Sequence, residues 1–191
     1  SQGVESLIAT PRENEIYDAS GNAMSTSQSN NSVSLQYTGK SFGFDNDNII
    51  IENSPSLSFN GNLSISAWVY YYGQAGGFND GRTQGVVLNM SDGTNGYTIA
   101  RAGSEAKLSF WVGDGSDYKE VKSNTLSAFT WNHIIGTNDG STSKIYVNGS
   151  LANSISQGAT SAFSGNLIIG SYMDDRSLEK YWDGLIDEVA V

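Results

Sequence analysis

Leu63, Ile65, Ala67 and Val69 alternate without a break with Ser64, Ser66, Trp68 and Tyr70. A period of two puts the aliphatic set on one side of an extended strand and the polar and aromatic set on the other. The stretch therefore predicts a strand with one face in a core and the other turned outward. About a dozen runs of strand character recur along the chain, separated by Gly, Asn, Asp and Ser, and that spacing argues for a sandwich or a barrel. They fall at residues 41–45, 48–52, 63–72, 85–90, 97–102, 107–113, 118–122, 131–137, 144–147, 151–155, 167–171 and 185–191. Val147-Asn148-Gly149-Ser150 is a hairpin signal, because Asn-Gly supplies the two positive-φ positions of a tight turn. Residues 1–32 are polar and poorly periodic and predict one opening strand followed by a Ser- and Asn-rich loop over 25–32. No stretch has a convincing helical period. The expected inward set is Ile65, Ala67, Val69, Ile134, Ile145, Val147, Ile169 and Ile186.

A chain of 191 residues suits one all-β domain over residues 1–191, with a sizeable core. The net charge of −10 argues against nucleic acid, which needs a basic face, and against an anionic membrane surface. No apolar run approaches a membrane span of about 18 residues, so membrane insertion is not expected. There is no Cys, so neither a disulfide framework nor a thiolate metal site is available. The chain does not begin with Met, which fits a segment cut from a longer secreted, cell-surface or virion-associated protein.

Four ordered blocks are similar to the laminin-G-like, concanavalin A-like lectin–glucanase superfamily. Tyr17-Asp18-Ala19-Ser20-Gly21-Asn22 resembles its Asp-x-Ser-Gly-Asn loop. Gly39-Lys40-Ser41-Phe42-Gly43-Phe44-Asp45, leading to Ile49-Ile50-Ile51, resembles its Gly-x-x-Phe strand and the next one. Leu63 to Val69 resembles the strand that ends in Ala67-Trp68-Val69. The most specific block joins Trp131-Asn132-His133-Ile134 and Asp139-Gly140 to the Ile145-Tyr146-Val147-Asn148-Gly149 hairpin, then Ile168-Ile169-Gly170 and Gly184-Leu185-Ile186-Asp187-Glu188-Val189. The resemblance runs from about residue 15 to the end. The chain departs from the family at Leu7-Ile8-Ala9-Thr10, where an aromatic opening strand is usual. The fold it implies is a two-sheet antiparallel jelly-roll sandwich. Function does not follow from that fold, which carries lectins, polysaccharide-binding modules, adhesion domains and hydrolases.

His133 is the sole histidine, so a Ser-His-Asp arrangement would have to use it. It lies inside a strand beside Trp131 and matches a framework histidine of the family, so it reads as scaffold. Zinc is poorly served by one His and no Cys. The laminarinase-like members carry closely spaced carboxylates on one strand, in a Glu-x-Asp-x-(x)-Glu pattern that supplies nucleophile and acid. No such strand occurs here. Glu179, Asp183 and Asp187 are interrupted by Gly184, and Glu105 and Glu120 stand alone. The expectation is therefore a non-catalytic domain, with a glycan-active hydrolase or lyase as the remote alternative.

The resemblance further implies a structural calcium ion held by Asp187, with Asp18 as helper and a carbonyl from the Gly39 region. The residues themselves equally allow Asp187 to do no more than accept backbone hydrogen bonds at a sandwich edge. Asp45-Asn46-Asp47 begins like an EF-hand loop, but Ile49 stands where an oxygen ligand is required.

Sugars are held by aromatic rings against their C–H faces and by amides and carboxylates on their hydroxyls. Two long loops carry such residues. One holds Phe78, Asn79, Asp80 and Arg82; the other holds Tyr172, Asp174, Asp175, Arg176 and Tyr181. Loops on a rigid sandwich commonly carry function. Trp68, Trp111 and Trp131 sit within strands and read as core, and at least one of Tyr70, Tyr71 and Tyr72 should be exposed. The expected function is recognition of a glycan or polysaccharide. The alternative is a structural or protein-interaction domain of an adhesin or phage virion, with a protein partner or neighbouring domains.

Overall fold

The computed structural model describes residues 15–17, 23–27, 34–35, 42–44, 48–72, 83–90, 93–101, 105–172 and 180–191. The strands are β1 (Glu15–Tyr17), β2 (Ala23–Ser27), β3 (Ser34–Leu35), β4 (Phe42–Phe44), β5 (Ile49–Ile51), β6 (Leu63–Tyr71), β7 (Gln84–Met90), β8 (Asn95–Arg101) and β9 (Leu108–Asp114). They continue as β10 (Tyr118–Lys122), β11 (Trp131–Asn138), β12 (Thr142–Val147), β13 (Ser150–Ser156), β14 (Leu167–Ile169), β15 (Ser171–Tyr172), β16 (Lys180–Tyr181) and β17 (Gly184–Ala190). Among the described residues the one helical element is a 3-10 turn at Pro55–Leu57.

The strands form a jelly-roll sandwich of two antiparallel sheets. One sheet has eight strands in the order β1-β2-β5-β14-β7-β8-β9-β10 and the other seven in the order β13-β12-β11-β6-β17-β4-β3; β15 and β16 make a separate ribbon. Consecutive strands pair at the edges of both sheets, whereas their centres join distant parts of the chain, as in β5-β14-β7 and β11-β6-β17-β4. The period-two alternation of β6 is realised as expected: Leu63, Ile65, Ala67 and Val69 are buried, and Ser66, Trp68 and Tyr70 are half-buried on the other face. β11 repeats this pattern over eight residues.

A single cluster joins the two sheets, with Ile65, Ala67, Val69, Ile134, Ile145 and Ile186 from one side and Ile99, Phe110, Val112, Leu167 and Ile169 from the other. Val147 packs on its rim, only partly buried. Trp182 is wholly buried and its ring lies 5.9 Å from that of Tyr71. Asn148 and Gly149 adopt φ values of 51° and 80°, as the Asn-Gly hairpin requires.

Several local expectations change. Residues 25–27 lie in β2, paired with β1 and β5, rather than in a loop. Strand pairing overrides the weak β-propensity of Ser and Thr-Ser runs, because propensity is largely a matter of neighbours. The run 167–171 breaks at Gly170, whose φ of 88° turns the chain out of the eight-stranded sheet and into β15. Trp68, Trp111 and Trp131 are not core: each occupies an outward position of its strand and is half-buried. Of the three consecutive tyrosines, Tyr71 faces the core and Tyr70 and Tyr72 are half-buried, so none is fully exposed.

Candidate functional site

The eight-stranded sheet carries a second, smaller apolar cluster on its outer face. Leu88, Met90 and Ile168 form it, with Ile50, Trp111 and Tyr172 packed against them. Register explains the segregation: Ile168 pairs with Leu88, Leu88 with Thr98 and Thr98 with Trp111, all on the parity opposite to Val87, Ile99 and Phe110. Over this floor stand three rings. The Trp111 ring lies 5.7 Å from Tyr172, edge to face at 82°, and 5.9 Å from Tyr118, tilted by 43°. Tyr118 is 47% exposed, so one ring of the three is open to a ligand.

Polar groups border the rings. Glu120 is directly opposite Trp111 across β9 and β10. Its carboxylate accepts the Ser109 hydroxyl at 2.5 Å and lies 3.6 Å from the Lys122 ammonium. The Trp111 indole N–H is shielded and has no hydrogen-bond partner among the described residues. Stacking rings beside a hydrogen-bonding carboxylate, ammonium and hydroxyl are the two components that sugar recognition needs.

The opposite outer face, on the seven-stranded sheet, is also aromatic. The Trp68 and His133 rings stack at 4.8 Å and 20°. Tyr70 meets Trp131 at 5.6 Å and Tyr72 at 5.6 Å, both edge to face. Burial, then the proximity of Tyr70 and Asp183, pushes the Tyr72 phenol above its ordinary range. Asp187 pairs with Trp68 across β17 and β6 at a bulge, where Glu188 takes a φ of 48°. Its carboxyl is pushed upward by burial, drawn back by the Glu188 N–H and raised by the Glu188 charge.

Tyr172 and Tyr181 are the two expected loop residues that are described. Register pairs Tyr172 with Lys180 and Ser171 with Tyr181 in the β15–β16 ribbon, so the two tyrosines occupy opposite faces of it. Tyr172 joins Trp111. Phe78, Asn79, Asp80, Arg82, Asp174, Asp175 and Arg176 lie outside the described residues. His133 packs on Trp68, and its backbone N–H donates to the Asn148 side-chain oxygen at 2.8 Å. Trp111, Tyr118 and Glu120 were not among the expected site residues. The parity of Leu108–Asp114 was the signal, since Leu108, Phe110 and Val112 claim the core and leave Trp111 outward.

Calcium takes six to eight oxygen ligands, by the general rule for this ion. Asp18 and Gly39 lie outside the described residues, and among the described residues no group of three or more His, Cys, Asp or Glu is placed to hold a metal ion. Of the three expected ligands only Asp187 is described; Trp68 stands opposite it in register, and the Asp187 carboxylate accepts the Glu188 N–H.

The Laminin_G_3 family model, described as the concanavalin A-like lectin/glucanases superfamily, matches residues 42–191. A search of curated protein sequences finds no match. Among solved structures the chain is similar to the binding domain of Paraclostridial Mosquitocidal Protein 1, at 19% identity and a TM-score of 0.69, covering 96% of this chain and 46% of that one. The receptor binding domain of botulinum neurotoxin C/D mosaic serotype is similar at 15% identity and a TM-score of 0.69, over 97% and 46%. A botulinum neurotoxin type C structure, described with cell entry dependent on two ganglioside molecules, aligns at 15% identity and a TM-score of 0.64, over 96% and 45%. The chain thus spans less than half the length of each of these neighbours. It belongs to the concanavalin A-like lectin/glucanase superfamily.

Proposed function

We propose that this member of the concanavalin A-like superfamily is a non-catalytic recognition domain that binds carbohydrate, as part of a secreted or surface protein. The observation that carries the proposal is the Trp111–Tyr118–Tyr172 cluster on the outer face of the eight-stranded sheet. A pyranose ring lies on Tyr118, with its hydroxyls on Glu120 and Lys122 beside it. Phe78, Asn79, Asp80, Arg82, Asp174, Asp175 and Arg176, which lie outside the described residues, belong to the same proposal by their chemistry, as the amides and charges that would select the sugar. That the neighbouring toxin domains are receptor-binding, and one is tied to gangliosides, supports recognition of a glycan in outline; the fold alone is shared.

A glycan array followed by calorimetry tests it. Saturable binding of an oligosaccharide is expected, weakened by Tyr118→Ala and Tyr172→Ala with the fold unchanged. Stacking contacts of this kind are worth about 1 kcal/mol, so each loss should be several-fold. Unaltered affinity in both variants removes this face from the binding site. An array on which no glycan binds removes the carbohydrate reading.

A further inference from the structure

The outer face of the seven-stranded sheet combines aromatic rings with an unpaired carboxylate. β6 lies between β11 and β17, with His133 opposite Trp68 on one side and Asp187 opposite it on the other. Trp68 presses one ring face on His133, which leaves its second face toward β17. Asp187 is half-buried there. Its Oδ1 accepts the Glu188 N–H at 2.8 Å, and no described Lys or Arg forms an ion pair with it. Lys144 shares the outer face of this sheet but sits near its far end and pairs with Asp139 at 3.8 Å. Glu188, at the adjacent bulge, takes a left-handed conformation that is sparsely populated by non-Gly residues.

We infer that this face docks a partner protein through a lysine or arginine side chain, which lies over the second face of Trp68 with its charge against Asp187. Indole is the strongest of the side-chain π faces for a cation. A desolvated carboxylate gains most from a cation that arrives already shaped to it. The net charge of −10 steers a basic partner toward the chain. Trp68 and Tyr70 of β6, Tyr72 just beyond it and Trp131 of β11, all half-buried, spread over the sheet face. Rings spread over a sheet suit a protein interface built on aromatic anchors, whereas small ligands prefer concave pockets. The inference concerns the sheet opposite the proposed glycan site and stands independently of it.

Acetylated hexa-arginine and hexa-glutamate peptides, titrated into the full chain with tryptophan fluorescence and calorimetry as readouts, test it. Hexa-arginine should bind saturably and quench fluorescence, and hexa-glutamate should not bind. Asp187→Asn keeps an acceptor for the Glu188 N–H and should weaken hexa-arginine about tenfold, as should Trp68→Leu. Glu105→Gln, which removes one charge from an exposed turn away from this face, should bind as the parent does. Absence of saturable binding, undiminished affinity in Asp187→Asn, or an equal loss in Glu105→Gln would each overturn the inference. A calcium-dependent rise in melting temperature that Asp187→Asn abolishes would also overturn it, because the carboxylate would then belong to a metal.

Discussion

Gly136 of β11 faces Phe110 of β9 across the sandwich, and the ring occupies the space that a side chain on Gly136 would need. A Cβ placed on Gly136 would stand 2.6 Å from both Cγ and Cδ2 of Phe110. The contact joins the two sheets at the centre of the core, since Gly136 is flanked in register by Ile65 and Ile145. The aromatic ring thus sets the local spacing of the layers, and the glycine is its complement.

Gly136→Ala is therefore an overpacking change. The ring is surrounded by buried side chains and has little room to retreat. A loss of about 1–3 kcal/mol is expected, or roughly 2–10 °C in melting temperature. Thermal denaturation measures it. Phe110→Leu in the Gly136→Ala background should recover part of the loss, and no recovery would show that the strain lies elsewhere.

Asn148 serves the β12–β13 hairpin in two ways. Its φ of 51° is a left-handed conformation, and its side-chain oxygen accepts the His133 N–H at 2.8 Å. Asn148→Ala loses both and should cost about 1–3 kcal/mol. Asn148→Gly loses only the hydrogen bond and should fall between the parent and the alanine variant in a urea titration. Equal stability of the two variants would mean that backbone strain contributes nothing here.

These positions also show what the sequence could and could not reveal. The alternation around Ile65 and the Asn148-Gly149 dipeptide foretold β6 and the hairpin, because periodicity and turn chemistry are local properties. The outward parity of Trp111 was legible in the same way, but hydrophobicity alone assigned it to the core. Its meeting with Tyr172 was not legible, since the two are far apart in the chain and meet only because β14 joins the eight-stranded sheet and leads, past Gly170, into the β15–β16 ribbon. The resemblance implies a calcium role for Asp187, and that Trp68 stands opposite it in register was not legible, because it depends on the strand order β6-β17, which no local pattern encodes.

Asp139 makes one turn sensitive to acid. Its carboxylate accepts the Ser141 hydroxyl at 2.8 Å, the Ser141 N–H at 3.0 Å and the Thr142 N–H at 2.8 Å, with Lys144 nearby. The Ser141 hydroxyl, then these N–H groups and Lys144, hold its carboxyl below the ordinary value of 3.8. Its contribution is present above that value and is lost as the pH falls through the lowered one. Asp139→Ala should lower the melting temperature at pH 7 and converge on the parent in strong acid. A constant gap at all pH values would contradict this linkage.

Asp187 should behave in the opposite sense. Burial pushes its folded-state carboxyl above 3.8, so the fold favours the protonated form. Stability from this group is complete below about 3.8 and is lost as the pH rises through the raised value. Asp187→Asn removes the charge and keeps the acceptor for the Glu188 N–H. The variant should therefore match the parent in acid and melt higher than it at pH 7. The group remains partly open to water, so the gain is small. Saturating hexa-arginine should reverse the order at pH 7, because only the parent carboxylate gains a cation that stabilises the folded form. Melting curves at two pH values, with and without the peptide, measure all four states. A parent that melts above the variant at pH 7 without peptide would show that Asp187 already has a cation of its own.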